Sequence, residues 1–117
     1  NWHVPTDNEW SVLTNYLGGD SIAGAKMKSV GTIQSLDGLW ETPNIGATNL
    51  SGLSVKPAGY LHYAAAYPRF GYTAHFWTST ELDSNSAYFT RLENIYKTVY
   101  RGSNPKWGAF SIRCVKD

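Results

Sequence analysis

Cysteine, charge and long apolar runs are scarce in this sequence, and each shortage excludes a class of protein. The single cysteine, Cys114, cannot form an internal disulfide, and its place in an alternating run predicts a buried structural thiol. Ten basic and nine acidic residues give a net charge of +1 without a basic cluster, which argues against a nucleic-acid partner. No apolar run approaches the ~18 residues that span a bilayer, so we expect no membrane insertion by this segment.

Aromatic side chains, in contrast, are abundant. The chain has eight tyrosines and five tryptophans, and aromatic residues (15%) are nearly as frequent as charged ones (16%). Few charges with much Tyr, Ser, Asn and Gly are typical of extracellular recognition surfaces. The same composition also occurs in ordinary small β-rich domains. The length of 117 residues fits one domain with its own core.

Two helices are predicted in the first quarter of the chain. Thr6 and Glu9 have the spacing of a capping box, and Gly18 follows at the point where a left-handed residue ends a helix. These signals predict a helix over residues 7–17, with one apolar face formed by Trp10, Leu13 and Leu17. A shorter helix is predicted over residues 22–27, capped by residues 20–21 and weakened by Gly24.

The second half of the chain predicts a sheet. The run FWTSTE at residues 76–81 has the strongest strand signal, and we expect it at the centre of the sheet. Residues 31–58 lack periodicity and predict a long loop, with Trp40 anchoring it to the core. Further segments are expected as a strand end at 2–4, a short strand at 60–63, a connection at 64–70, hairpin strands at 87–92 and 97–101, a polar loop at 102–108 and a closing strand at 109–115.

Several motifs resemble known families. The sequence PTDNEW at residues 5–10 resembles the "PTxxEW" helix of formylglycine-generating-enzyme-like domains, and residues 108–115 resemble their closing "GFxxR" strand with one residue inserted. The chain is similar over nearly its whole length to the Fibrobacter succinogenes major paralogous domain of bacterial surface lipoproteins. That similarity lies in WHVPT at 2–6, AGAKMK at 23–28, NIGATNLSGL at 44–53, PAGY at 57–60, WTSTE at 77–81 and SIRCVKD at 111–117.

The resemblance implies an α+β, C-type-lectin-like fold. Such a domain has one or two helices packed on a twisted antiparallel sheet, long loops and adjacent termini. It also implies that residues 1–117 form a single domain excised from a longer extracellular or surface protein of Bacteroidetes or related bacteria. We expect the domain to be monomeric.

Catalysis and metal binding are not expected. Formylglycine-generating relatives oxidise through a pair of cysteines, whereas this chain has one. The three histidines are scattered, and His75 is expected to be a strand residue with a hydrogen-bonded ring nitrogen.

Calcium-dependent lectins resemble one another in an EPN or QPD tripeptide, but residues 41–44 read ETPN, with one residue too many. A solvated hairpin loop explains the acids of residues 81–85 better than a calcium site does. We therefore expect no cofactor.

Metal-free binding of a glycan or a surface protein is the principal functional prediction. Tyrosine, tryptophan and arginine dominate binding hot spots, and these residues gather in the late hairpin and the loop after it. The predicted ligand-binding residues are Tyr88, Arg91, Tyr96, Tyr100, Arg101, Asn104, Lys106 and Trp107. Because alternate strand residues share a face, Tyr88 and Arg91 point to opposite sides, and about half of the tyrosines are expected to be core residues.

Two alternatives stay open at the level of sequence. Some proteins with this fold are diversified by retroelements near the end of the chain, and the Tyr-, Asn- and Ser-rich run before Gly108 would suit such a receptor. A fixed binder would have the same composition. The alternative from a different class is a structural cap or spacer in a surface lipoprotein, with no ligand of its own.

Overall fold

The computed structural model describes residues 1–62 and 68–117 and has an α+β architecture. Within those residues, the elements run β1 (Trp2–His3), α1 (Asp7–Tyr16), α2 (Asp20–Met27), β2 (Thr73–Glu81), β3 (Ser86–Glu93), β4 (Tyr100–Pro105) and β5 (Val115–Lys116). Strands β2, β3 and β4 form a three-stranded antiparallel sheet, and β1 pairs with β5. The predicted α+β class is confirmed, and the C-type-lectin-like assignment stays a prediction.

Helix α1 forms as its sequence signals predict. The Glu9 amide donates to the Thr6 hydroxyl over 3.1 Å, and the Thr6 amide donates to the Glu9 carboxylate over 2.8 Å. Together these bonds make a capping box that satisfies amides left free at the first turn. The helix ends at Tyr16, with Leu17 as its C-cap before Gly18 at φ +103°, and it buries Trp10 in the core.

Helix α2 starts earlier than predicted and depends on its glycine. It begins at Asp20 after Gly19, and no side chain caps it. A Cβ atom on Gly24 would lie 2.6 Å from the carbonyl oxygen of Thr98, so the helix backbone can approach this segment only without a side chain there. The Ala25 amide donates to the Lys97 carbonyl over 3.0 Å at the same contact. Gly24 weakens the isolated helix but enables its packing.

The central strand of the sheet is β3, which corrects the prediction for residues 76–81. The strand order is β2-β3-β4, so β2 lies beside β3 at one end of the ladder. On its other side, β2 makes isolated parallel bridges, from Ala74 to Gly59 and from Phe76 to Ser111. These bridges replace a neighbouring strand. The strong strand signal of β2 thus reflects burial on both faces rather than a central place in the sheet.

Strand β4 is displaced from its predicted position. Residues 97–101 were expected to pair, but the strand runs from Tyr100 to Pro105 and includes half of the predicted polar loop. The reason is that the preceding backbone bonds to α2: the Val99 amide donates to the Asp20 carbonyl over 2.7 Å. Residues occupied by these contacts cannot also pair with β3. A tertiary contact has therefore replaced the local strand preference.

The closing segment is not a continuous strand. It bridges to Leu61 at Ala109 and to Phe76 at Ser111, and only Val115–Lys116 is a strand, paired with β1. The side chains between Ser111 and Val115 therefore need not alternate between two faces as they would in a strand. Cys114 is exposed, so the prediction of a buried thiol is wrong. The proximity of β1 and β5 agrees with the expected adjacent termini.

The long loop is pinned by buried polar contacts, as expected for Trp40. This side chain is fully buried, and its indole N–H donates to the Val55 carbonyl over 3.1 Å and lies 3.2 Å from the Ser29 hydroxyl. The Asn44 side chain donates to the carbonyls of Ser29 and Gly31 over 3.1 and 2.9 Å. Such bonds satisfy backbone groups of a loop folded onto the core. The predicted strand at 60–63 has one bridge, at Leu61, and its last residue and most of the 64–70 connection lie outside the described residues.

One core cluster joins the helices, the loop and the sheet. Its buried side chains are Trp10, Leu17, Ala23, Met27, Trp40, Val55, Ala74, Phe76, Leu92 and Val99. Strand residues Ala74, Phe76 and Leu92 mark the sheet face that meets the helices. Tyr60 and Phe110 cover part of the opposite face by packing on His75 and Phe89, and that face is more open at Arg91 and Tyr100. Among the described residues, no helix has the length and apolarity needed to cross a membrane.

Candidate functional site

The second face of the sheet, called here the pocket face, carries most of the chemically active side chains. The pairing Arg91↔Tyr100 joins β3 to β4, and His75↔Arg91 joins β2 to β3. Because side chains alternate along a strand, residues in register with these three point the same way. The pocket face comprises His75, Trp77, Phe89, Arg91, Glu93, Tyr100, Gly102 and Asn104.

A small open cavity lies at the edge of this face, and we call it the Arg91 pocket. Its volume is about 220 Å³, and its lining residues are Arg91, Glu93, Tyr96, Thr98 and Tyr100. Three of them, Arg91, Tyr96 and Tyr100, belong to the set of ligand-binding residues predicted from the sequence. The pocket forms because β3 ends at Glu93 and the chain turns through residues 94–99 before β4 starts.

Arg91 sits in this pocket with an unsatisfied donor. Its guanidinium carbon lies 4.3 Å from the centroid of the Tyr100 ring, which holds the cation over the negative face of the ring. Its Nε atom is buried and has no hydrogen-bond partner among the described residues. The nearest acidic atom, Oε1 of Glu93, is 3.6 Å away, too far for a hydrogen bond. Arg91 and Glu93 therefore form an ion pair, but Nε makes no hydrogen bond to the carboxylate.

The two tyrosines of the pocket are partly open to solvent. Tyr96 is 53% exposed and Tyr100 is 48% exposed. The Tyr100 ring lies over Gly102, where a Cβ atom would approach its Cε1 atom to 2.8 Å and its hydroxyl oxygen to 3.0 Å. Glycine at this position thus lets the ring lie along the sheet. Half-exposed aromatic faces of this kind can stack on a sugar ring or anchor a protein interface.

Lys28 supports the pocket from the core. The side chain is fully buried, and its ammonium group donates three bonds of 3.0 Å, to the carbonyls of Ile45, Glu93 and Tyr96. Burial lowers the pKa of Lys28 to about 8. Two of its three acceptors belong to pocket residues, so Lys28 fixes the turn that presents Tyr96.

His75 lies deeper on the same face, in an aromatic cluster. Its ring centroid is 4.4 Å from that of Tyr60 and 4.9 Å from that of Phe110. Burial, together with the smaller effect of the positive charges of Arg91 and Arg69, lowers the pKa of His75 to about 4, so the ring is neutral near pH 7. Its Nδ1 atom has no hydrogen-bond partner among the described residues, so the expectation that its ring is hydrogen-bonded is wrong for this atom.

Tyr88 and Arg101, two other predicted site residues, lie on the opposite face of the sheet. Arg101 binds Asp7 at the start of α1: its Nε lies 3.2 Å from the Asp7 carboxylate, and Nη2 donates to the same carboxylate and, over 3.0 Å, to the Asp7 carbonyl. Tyr88 is half-buried and pairs with Ser103. Arg101 thus joins the sheet to α1 and does not reach the pocket.

The remaining predicted residues lie at the far end of β4 and just beyond it. Lys106 donates to the Glu81 carboxylate over 2.5 Å and to the Ser84 carbonyl over 3.1 Å. Asn104 donates to the Pro105 carbonyl over 3.0 Å, and Trp107 is 56% exposed with its ring 4.7 Å from that of His62. The length of β4, roughly 17 Å, separates this group from Tyr100. The eight predicted residues therefore do not form one contiguous site.

Glu93 and Thr98 are pocket residues that the sequence prediction left out. Alternation had placed Glu93 on the same face as Arg91, so a signal existed for it. No local sequence signal identifies Thr98 as a pocket residue, because it lies in a turn whose path is set by contacts with α2.

Among the described residues, no group of three or more His, Cys, Asp and Glu side chains is arranged to hold a metal ion. The Asp83 carboxylate instead accepts from the amides of Asn85 and Ser86, each over 2.8 Å.

A second cavity of about 240 Å³ lies beside α1, and its charged side chains already have partners, whereas the buried Nε1 of Trp10 has none among the described residues. It is lined by Pro5, Glu9, Trp10, Leu13, Leu53, Arg113, Cys114 and Val115. The Glu9 carboxylate bonds to Thr6 and His3, and Arg113 donates to the Leu53 carbonyl over 3.2 Å. The Arg91 pocket is the better candidate because its charged groups remain available to a ligand.

Comparison with known proteins gives one match. The family described as the Fibrobacter succinogenes major domain matches residues 1–116. No curated protein and no solved structure matches the chain.

Proposed function

The chain belongs to the Fibrobacter succinogenes major domain family, and we propose that it is a non-catalytic binding module that recognises a glycan through the Arg91 pocket. One observation carries the proposal. A partly buried arginine without a hydrogen-bond partner at Nε shares a small open pocket with two half-exposed tyrosines. Aromatic faces next to unsatisfied polar groups are the combination that binds sugar rings and their hydroxyls.

The size of the pocket favours a sugar over a protein partner. Its volume of about 220 Å³ is below the ~300 Å³ at which pockets for drug-sized ligands begin, so it fits one small unit. A protein interface of standard size would need ~800 Å² on this chain, and the pocket is only a small part of such a surface. A surface protein remains the second ligand class and would have to contact residues around the pocket as well.

The wider role follows from composition and resemblance. We propose an extracellular or bacterial cell-surface location, a C-type-lectin-like fold and a place in a longer lipoprotein or adhesin. The single thiol, Cys114, cannot support the two-cysteine oxidation of formylglycine-generating relatives, in line with a binding role. Diversification by a retroelement would concern exposed late residues such as Tyr96 and Tyr100.

A structural cap or spacer is the alternative function, and two contacts favour it. Arg101 and Lys106, both predicted to bind ligand, are engaged by Asp7 and Glu81 within the fold. If Tyr96 and Tyr100 were also dispensable for ligand binding, the late hairpin would serve only to hold the domain together. The binding function therefore predicts that loss of Tyr96 or Tyr100 abolishes ligand binding, whereas the structural function predicts no effect on binding.

A glycan array probed with the labelled domain, once with calcium and once with a chelator, tests the proposal. We expect a signal that survives chelation and is lost in Tyr96→Ala and Tyr100→Ala. Tyr16→Ala is the matched control, because Tyr16 is 86% exposed on α1 and should not affect binding. Trp107→Ala should also keep the signal if the Arg91 pocket is the site.

Each other outcome has a clear meaning. Signal only in calcium would contradict metal-free recognition. A signal lost in Trp107→Ala but kept in Tyr100→Ala would move the site to the far end of β4. A blank array, with all variants folded by circular dichroism, would overturn glycan recognition and leave a protein ligand or the structural role.

A further inference from the structure

The contact between Arg91 and Glu93 is close but incomplete. The two side chains point from β3 into the same pocket, and Nε of Arg91 lies 3.6 Å from Oε1 of Glu93. Their side chains are only 31% and 22% exposed. In the part of the chain that the structure describes, the Glu93 carboxylate makes no hydrogen bond. Two opposite charges, partly removed from water, thus form an ion pair without a direct hydrogen bond.

Other contacts keep the two groups apart. Arg91 is held over the Tyr100 ring, with its guanidinium carbon 4.3 Å from the ring centroid. The Glu93 backbone is fixed by pairing with Thr73 and by the bond of 3.0 Å from Lys28 to its carbonyl. Arg91 as a donor and Glu93 as an acceptor therefore line the same pocket side by side.

The chemistry of a ligand group that contacts both side chains is restricted by the two charges. A carboxylate only accepts hydrogen bonds and would be repelled by Glu93, whereas an ammonium group only donates and would be repelled by Arg91. A hydroxyl group both accepts and donates, so it satisfies both partners without adding charge. Two adjacent hydroxyls on one sugar ring can do the same together, one accepting a hydrogen bond from Arg91 and the other donating one to Glu93.

From this geometry we infer that the ligand unit is a neutral pyranose whose adjacent hydroxyl groups accept from Arg91 and donate to Glu93. This inference rests on the proposed function of the same pocket. Arg91 already covers one face of Tyr100, so the apolar face of the sugar stacks on Tyr96 at the rim. The volume of about 220 Å³ suits a single sugar residue. Glu93 thereby becomes a specificity-determining residue that selects neutral sugars over acidic ones.

NMR titration of the domain with methyl pyranosides tests the inference. The probes are neutral methyl glycosides of hexoses, the same glycosides lacking one of two adjacent hydroxyls, and methyl glucuronoside. We expect the neutral glycosides to shift the Arg91 Nε–H and Tyr96 ring resonances. Loss of one hydroxyl should weaken binding about tenfold, because a hydrogen bond to a charged group is lost. Methyl glucuronoside should bind more weakly than its neutral counterpart.

Glu93→Gln provides the test on the protein side. It should weaken binding of the neutral glycosides about tenfold, because a charged acceptor becomes a neutral amide. Glu81→Gln is the matched control, since Glu81 lies on β2 and binds Lys106, and it should leave binding unchanged. The deoxy glycosides test the same contact in the unaltered protein, so the inference remains testable if Glu93→Gln does not fold.

Two results would overturn the inference while the proposed function stands. In the first, methyl glucuronoside binds more tightly than its neutral counterpart, and Glu93→Gln strengthens its binding further. In the second, Glu93→Gln leaves the affinity for the neutral glycosides unchanged, and the deoxy glycosides bind as tightly as the complete ones. Both would still place a saccharide at Arg91 and Tyr96. If no saccharide shifts either resonance and the glycan array is blank, the inference and glycan recognition both fail.

Discussion

Arg91 of β3 lies over the ring of Tyr100 in β4, with 4.3 Å between the guanidinium carbon and the ring centroid. The two residues are direct cross-strand partners, so the sheet register itself brings them together. The stack positions a cation at the floor of a pocket while leaving its buried Nε without a partner. This pair connects the fold to the proposed function, because the same register that stabilises the sheet orients the binding groups.

Gly102→Ala should disturb this pair with little effect on the fold. The added Cβ would lie 2.8 Å from Cε1 of Tyr100, and the ring, as the free end of a side chain, would swing away from Arg91. We expect glycan binding to fall about tenfold, because Arg91 loses the ring that holds it in place. The free energy of unfolding should change by about 1 kcal/mol or less, since alanine fits a strand at least as well as glycine. Array signal and urea unfolding measure the two effects.

Ser103→Ala is the control for that substitution, because residue 103 points to the opposite face. Binding should be unaffected in this variant. A Gly102→Ala protein with unchanged binding would show that the position of the Tyr100 ring is irrelevant to the ligand.

The two arginines of the hairpin should separate binding from stability. Arg101→Met removes the bonds to Asp7 that join β4 to α1, across 94 positions of sequence. We expect a loss of about 1–3 kcal/mol in the free energy of unfolding, the range for hydrogen bonds to charged groups, with pocket binding retained. Arg91→Met should do the reverse: it should abolish binding and cost little stability. Urea unfolding and the glycan array, run on both variants, check this crossed pattern. Loss of binding in folded Arg101→Met would contradict the assignment of Arg101 to a structural role.

Lys28→Met should be strongly destabilising. The substitution leaves the carbonyls of Ile45, Glu93 and Tyr96 without their donor, at a cost of about 3 kcal/mol or more. The amides of residues 94–97 should also exchange faster with solvent, because the turn carrying Tyr96 is no longer held. Urea unfolding and hydrogen exchange measure the two effects.

The lowered pKa of Lys28 gives a second test of the same residue. Burial lowers the pKa from 10.5 to about 8 in the folded chain, so between these values the unfolded chain binds more protons. Stability should therefore rise with pH across this window in the unaltered protein. The difference curve between the unaltered protein and Lys28→Met isolates this contribution. Parallel pH curves would show that Lys28 titrates normally.

His3 should make the pairing of the two ends of the chain pH-dependent. Its Nδ1 lies 2.7 Å from the Asp117 carboxylate and its Nε2 lies 2.9 Å from that of Glu9. The bond to Asp117, followed by that to Glu9, raises the pKa of His3 above 6.5. The stabilisation is thus fully present below pH 6.5 and is lost as the pH rises through the folded pKa. Melting temperatures measured across this range should decline on the alkaline side, and the decline should be absent in His3→Gln. An identical decline in both would assign it to other groups.

Local signals were enough to predict several elements from the sequence. The capping box of Thr6 and Glu9 and the stop at Gly18 define α1, because each acts within one helical turn. Strand β3 follows from its alternation, and Trp40 was identified as an anchor because a large aromatic side chain in a polar loop has to be buried somewhere. The candidate site was predicted in part: Arg91, Tyr96 and Tyr100 meet in one pocket, whereas Arg101, Lys106 and Trp107 lie elsewhere.

The sequence by itself therefore determined the boundaries of α1, the family and the presence of strands, since these depend on residues close together in the chain. Only the tertiary structure decided that β3 is central, that β4 starts at Tyr100 and that Cys114 is exposed. It also decided which face of the hairpin is covered by α1, and hence that Arg101 pairs with Asp7 while Arg91 lines the pocket on the other face. These features depend on contacts between distant segments, such as Val99 with Asp20, and no local preference encodes which partner a backbone group will find.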